Sequence, residues 1–557
     1  MDPDYNPSYR SLINNKWVST VCSIWIQSTS GSAYTFGIYS QALKTSQGYD
    51  QSTLDTISVF KDLGANVGVL AGLLYSAVTS NRGRPTTRFG GGPWVVLLGG
   101  AVVVFLGYFF MWLSVAGILP RPPVLLMGFY MLLASNATTF FNTANVVTAV
   151  HNFPKYSGTV VGIMKGFLGL SGAILILVYQ TVLNKKPTAF ILLLALLPSV
   201  NSLVFMWFVR IMPTTEADEN KYLGVLSSVA VLLAAYLMVV IILRNVITFP
   251  SSARVSTFVI LILLLLSFLH VAIRAQKQKS NRILRSLLEE NQIFGMVQSR
   301  PDPEAYQQLP GNADEEMNAI NGSMIAEQGD NLNLLQSLCN INFWLLFLTS
   351  ACGMGSGLAT VNNISQIGLS LGYSSVQTST LVSLWSIWNF GGRFGSGYVS
   401  DYFLHAKSWP RPLFMVINLV AMTIGHIMIA SGFPGALYAG SVLVGIGYGS
   451  QWSLMPTIVA EIFGSEHMGA IFNTITIANP VGTYILSVRV VGYLYDREET
   501  GTDNTCFGTR CFGLSFLIMA GTTLFGSLVA LGLYFRTRNF YKEVILRRLN
   551  HLIIDRE

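Results

Sequence analysis

Apolar residues along this 557-residue chain gather in long blocks rather than in the short stripes of a soluble fold. A bilayer-crossing helix needs about 20 mainly apolar residues. Six blocks of that kind fall at 17–41, 54–79, 93–116, 124–150, 158–182 and 188–211. Two more, 222–243 and 255–274, follow them. The pattern then breaks, and residues 276–337 are polar and rich in Pro, Glu and Asp, which predicts a disordered loop. Six further blocks occupy 338–361, 375–400, 413–431, 435–461, 467–491 and 512–535. The blocks are nearly continuous, as at 229–242, which excludes the alternating strands of a membrane β-barrel. The expectation is an all-α polytopic membrane protein of 14 spans, with 12 the alternative if the 222–275 segment does not cross.

Composition agrees with this pattern. Hydrophobic residues make up 51% of the chain and charged residues only 11%, against about 25% charged in soluble domains. Surfaces of several soluble domains could not be covered by so few charges. The net charge of +7 would suggest nucleic acid in a soluble chain, but here its distribution carries the information. If the N-terminus is cytosolic, inner segments hold 22 of the 34 Lys and Arg residues and outer segments hold 8. This asymmetry places both termini (1–16 and 536–557) and the central loop in the cytosol. The first sixteen residues are polar and the first block is long, so it reads as a retained signal anchor. Cys506 and Cys511 share a short outer loop, where an oxidising environment permits a disulfide or leaves two free thiols. Neither a metal site nor a cofactor is implied. Gly-rich strings such as 391–397 lie inside apolar blocks with no preceding strand, so they are helix-packing surfaces and not nucleotide loops.

Two six-span halves around a cytosolic loop resemble the major facilitator superfamily, and longer strings narrow the match. WVSTVCSIWIQSTSGSAYTFGIYSQALK at 17–44, FKDLGANVGVLAGLL at 60–74 and GTVVGIMKGFLGLSGA at 158–173 are similar to the plant nodulin-like family. So are WNFGGRFGSGY at 388–398 and NPVGTYILSVRVVGYLYD at 479–496. The resemblance implies a 17–211 half, two additional spans at 222–275 and a 338–535 half. It also implies a transporter with small carboxylates, aromatic ones included, as cargo. The superfamily's loop motif is half present. Gly397 to Asp401, with Arg393 before it, fits the motif, and the resemblance has Asp401 cap a helix of the opposite half when the inner gate is shut. In the first half Arg82 and Arg84 remain, but Ser80 stands where the matching Asp would be.

Four bases lie within blocks: Lys61, Lys165, Arg393 and Arg489. Burying such groups costs about 2.5–3.5 kcal/mol each at a helix centre, so each needs a partner or a watery cavity. Lys165, among glycines, either contacts an anionic cargo or snorkels to the interface. Arg489, beyond Asn479-Pro480, either clamps a carboxylate or sits in an outer salt bridge. Lys61 and Asp62 point about 100° apart on a helix, so one is expected to face the cavity and the other to pair elsewhere. Asp62 is the leading proton carrier, unless it only locks helices together, and Glu461 is a second candidate. Arg393 is assigned to the gate. Tyr34, Asn66, Asn142, Gln451 and Trp452 supply polar and aromatic walls for cargo.

These features define a secondary transporter whose partners are a small organic anion, a proton and the bilayer, with no nucleotide or nucleic acid. A transporter-like sensor or scaffold acting through the cytosolic loop is the alternative, and no nucleophile and base are paired for an enzyme. The plasma membrane is the favoured location, with the vacuolar and endoplasmic reticulum membranes as alternatives.

Overall fold

The computed structural model describes residues 15–49, 51–79, 92–183, 186–212, 218–247, 249–298, 331–498 and 506–545. Among these residues the chain is helical throughout, with turns and no strand. The first half starts with α1 (Lys16–Gln27), a 3₁₀ turn at Ser32–Thr35 and α2 (Phe36–Gln47). It continues through α3 (Gln51–Asn66), α4 (Val69–Thr79), α5 (Pro93–Val115), α6 (Val124–Asn152), α7 (Ser157–Val182) and α8 (Pro187–Phe205). A hairpin of α9 (Glu219–Val246) and α10 (Ser251–Gln298) follows. The second half contains α11 (Leu334–Leu338), α12 (Ile341–Ser370), α13 (Ser375–Lys407), α14 (Arg411–Ser431) and α15 (Ala436–Phe463). Then come α16 (Met468–Ile475), α17 (Ala478–Thr483), a π-helical stretch at Tyr484–Gly492, α18 (Tyr493–Arg497) and α19 (Gly513–Phe540).

Among the described residues, eleven helical segments are long and apolar enough to cross a membrane, including Glu219–Arg244 and Ser251–Arg282 of the hairpin. The other bundle helices fall short of that measure. α1 and α2 are separated by residues 28–35, and α13 and α15 are diluted by Ser, Gly, Asn, Gln and Trp. Several of those polar and aromatic residues face the interior of the bundle. The hairpin leans on both halves, α9 on α7 and α13, and α10 on α1 and α7. Trp25 donates its indole N–H to the Leu265 carbonyl at 2.9 Å, and Phe167 meets Phe268 edge-on at 5.3 Å.

The polar stretch from 276 does not begin as a loop. α10 runs on to Gln298, because Arg, Gln, Leu and Glu dominate this stretch and all are strong helix formers. Near its start the extension is tied to α9. Tyr222 donates to Gln278, and Asp218 pairs with Arg282. Residues 299–330 lie outside the described set, as do Arg82 and Arg84.

One end of the bundle gathers Lys16, close to the start of the described residues, and Tyr541, close to their end, and is called the termini end. The opposite end carries the bonded Cys506 and Cys511 and is called the disulfide end. At the termini end the halves are pressed together through glycines. A Cβ on Gly397 would lie 2.2 Å from the Gly158 carbonyl oxygen, whereas one on Gly395 would meet nothing within 4 Å. Overpacking a tight contact costs about 1–3 kcal/mol. Gly397→Val is therefore expected to lower the thermal midpoint in detergent by several degrees, while Gly395→Ala leaves it unchanged.

Candidate functional site

A cavity of about 310 Å³ lies between the halves at mid-depth. α13 presents Trp385, Asn389 and Arg393 to it, one turn apart on a single face. α15 adds Tyr448 and Trp452, and the α16–α17 segment adds Phe472, Asn473, Thr476 and Asn479. The first half contributes Tyr34, Lys61, Asp62, Asn66, Asn142 and Lys165. Wall residues Tyr34, Gly37 and Asn362 are exposed, and all three lie on the disulfide side of Lys165, so the cavity opens toward the disulfide end.

Lys165 is the unusual member. Its side chain is 0% exposed and its Nζ makes no hydrogen bond. Two aromatic faces hold it, Phe472 at 4.3 Å and Trp452 at 5.0 Å from the ring centroids. Arg393, likewise buried, lies on the same Trp452 ring at 5.6 Å. The guanidinium is already committed, donating to Asn389 Oδ1 at 2.8 Å, the Lys165 carbonyl at 3.0 Å and the Tyr34 hydroxyl at 3.3 Å. All three acceptors are neutral, and among the described residues no carboxylate is hydrogen-bonded to either cation. Cation–π contact supplies part of the missing stabilisation, about 2 kcal/mol or more per contact in desolvated sites.

Several sequence expectations change here. Lys61 and Asp62 both line the cavity and pair with each other at 3.2 Å, because the long Lys61 side chain folds back across the Phe36 ring. Arg393 is in the cavity instead of the gate, eight residues and so about 12 Å along α13 from Asp401. Arg489 is outside it, exposed on the π-helical stretch and donating to the Tyr484 hydroxyl at 3.1 Å. Ten residues beyond Asn479, at about 100° each, already turn it off the cavity side, and the wide π turn shifts it further. Gln451 is buried next to Gly353, turned away by the neighbouring Trp452 that takes the cavity position. Asn389, Thr476, Trp385, Tyr448 and Phe472 were not singled out from the sequence, although their spacing of three or four residues was the available signal.

Glu461 is not in the cavity but in a charge network at the termini end. Asp401 accepts from the Gly158 N–H at 3.1 Å, the Thr159 N–H at 2.5 Å and the Thr159 hydroxyl at 2.6 Å. It thus caps the N-terminus of α7 in the other half, where a carboxylate meets the positive end of the helix dipole. Arg411 bridges Asp401 and Glu461 at 2.6 Å each, and Tyr541 donates to Glu461 at 2.7 Å.

Two interlocked halves around a central cavity, latched at one end, define the major facilitator fold. A solved proton:xylose symporter of that superfamily matches with a TM-score of 0.53 at 13% identity, over 94% of this chain and 95% of its own. Residues 16–273 match the family described as Nodulin-like, and residues 323–543 match the C-terminal domain of NFD4. Protein NUCLEAR FUSION DEFECTIVE 4 of Arabidopsis thaliana is 24% identical over 97% of this chain and 92% of its own. The probable transporter MCH1 of Yarrowia lipolytica is 34% identical, over 26% of this chain and 31% of its own. The chain is thus similar to the Nodulin-like family over its first half and to the NFD4 C-terminal domain over its second, on the major facilitator fold.

Removing one partner of a buried ion pair costs about 3–5 kcal/mol, because the other charge is stranded. Arg411→Met strands both Asp401 and Glu461 and should lower the thermal midpoint more than Asp401→Asn does. The triple variant Asp401→Asn/Arg411→Met/Glu461→Gln should recover much of that loss.

Proposed function

We propose that this protein is a secondary active transporter of small organic anions, monocarboxylate-like and including aromatic ones, driven by a proton gradient through alternating access. The observation that carries this reading is Lys165, a buried ammonium facing a cavity with no hydrogen-bond partner. A cargo carboxylate would supply the missing acceptor and balance the charge of Arg393. Trp385, Tyr448, Trp452, Phe472 and Tyr34 offer faces on which a planar cargo can stack. Asn66 and Asn142 add amide groups to the same walls. Asp62 carries the coupling proton in this reading: protonation would break its pair with Lys61 at the cavity mouth, freeing a further cation for the anion.

The superfamily fold and the MCH1 likeness support transport. In our reading the termini end is cytosolic, as the distribution of Lys and Arg indicates, so the structure is an outward-open state with its inner gate shut. Asp401, Gly397, Arg411 and Glu461 form that gate. We assign fourteen spans, counting α9 and α10, and place the protein in the plasma membrane.

Losing a charge-assisted contact to a ligand costs about 2–3 kcal/mol, or roughly 30- to 160-fold. In proteoliposomes, radiolabelled benzoate or pyruvate should enter faster under an inward proton gradient. Lys165→Met should cut that uptake by about this factor, while Arg489→Ala should leave it near wild type. Uptake that ignores both the gradient and Lys165→Met would overturn the proposal. For topology, a tag inserted in the 244–254 loop should be reachable on intact cells. Labelling only after permeabilisation would restore a twelve-span count.

A further inference from the structure

Two helical segments, one from each half, are interrupted where they face each other. α3 and α4 part at Val67–Gly68, and α16 and α17 part at Thr476–Ile477. The breaks free backbone carbonyls, and side chains recover them. Asn136 donates to the carbonyls of Gly64 and Val67 within the first half, and the Thr476 hydroxyl crosses to the Asn66 carbonyl at 3.0 Å. The Asn66 amide N–H is held by the Asp62 carbonyl at 2.8 Å, which turns its Oδ1 toward the second half. There it accepts from Asn479 Nδ2 at 2.9 Å. A turn away, Asn473 Nδ2 donates to the Thr143 hydroxyl at 2.7 Å. Toward the termini end the backbones touch, since a Cβ on Gly72 would lie 2.4 Å from the Gly469 carbonyl oxygen.

The five side chains that meet across the halves, Asn66, Thr143, Asn473, Thr476 and Asn479, are buried, and no charged side chain takes part among the described residues. A second inter-half contact, between α7 and α13, uses the Asp401 carboxylate. The first half offers no matching carboxylate there: Ser76 stands four residues beyond Gly72 as Asp401 stands four beyond Gly397, and Ser80, the position suggested by the sequence, lies outside the described residues. We infer that Asn66 and Asn479, backed by Thr476, Asn473 and Thr143, form an uncharged clasp that shuts the second side of the termini end. It replaces the charged latch that the first half lacks. The inference rests on the alternating-access reading, in which the halves part at this end to release cargo. Asn66, Asn473, Thr476 and Asn479 also line the cavity, so the clasp is its floor.

Maleimide labelling of Ser76→Cys tests this without any cargo, in protein that also carries Cys22→Ala, Cys339→Ala and Cys352→Ala. Ser76 is buried beside His467 and Ala470, where the parted halves would expose it. Losing one inter-helix hydrogen bond should raise the labelling rate about three- to fivefold in Asn66→Leu and in Asn479→Leu. The double variant should label no faster than either single one. Unchanged rates in the Leu variants, or multiplying effects in the double variant, would each overturn the clasp. Because no cargo is added, these outcomes stand apart from any failure to find a transported anion.

Discussion

Lys165 brings a cation into the middle of an apolar bundle and gives it no hydrogen-bond acceptor, and much of the surrounding structure is arranged around that fact. Glycines at 162, 166 and 169 let α7 come close to α13, and a Cβ at any of the three would meet Arg393, Phe390 or Phe394. That approach lets Arg393 donate to the Lys165 carbonyl and places both cations on one indole ring. An unpaired ammonium is expensive in a dry site. Aromatic faces and an open cavity reduce the cost without removing it, and an anion arriving there would be stabilised by the same charge.

The two sides of the termini end solve one problem with different chemistry. Between α7 and α13 a carboxylate caps a helix N-terminus and is itself held by Arg411, which also engages Glu461. Such a network is strong when complete and costly when one member is lost. Where α3, α4 and α6 meet α16 and α17 the contact is made by amides, hydroxyls and glycine backbones. Inter-helix hydrogen bonds of this kind in membranes average about 0.6 kcal/mol. That is a weight suited to a contact that breaks and re-forms in each turn of the proposed alternating-access cycle.

Much of the helical architecture was legible in the chain because apolar block length reports directly on bilayer-crossing helices. It failed where helix and loop share a composition: the stretch after 275 is polar, yet its residues are good helix formers, so α10 continues to Gln298. The site was partly legible. Lys165, Tyr34, Asn66, Asn142 and Trp452 were found because polar or aromatic groups in apolar blocks are costly and so conspicuous, and all line the cavity. Direction was harder to read than identity. Arg489 faces outward because a π-helical stretch changes the angle per residue, and no residue pattern announced that stretch. Lys61 joins Asp62 in the cavity because a long side chain can bend through the 100° that separates neighbouring positions. Gln451 and Trp452 are adjacent, and only one of them could face inward.

An anion bound at Lys165 would stabilise the folded protein, and heating with and without ligand reads that stabilisation. Purified protein would be heated with benzoate and, separately, with the neutral isostere benzamide, alongside the Lys165→Met variant. The structure predicts that benzoate raises the thermal midpoint of the wild type, that benzamide does not, and that the variant responds to neither. Equal stabilisation by both compounds, or a benzoate response that survives Lys165→Met, would contradict it.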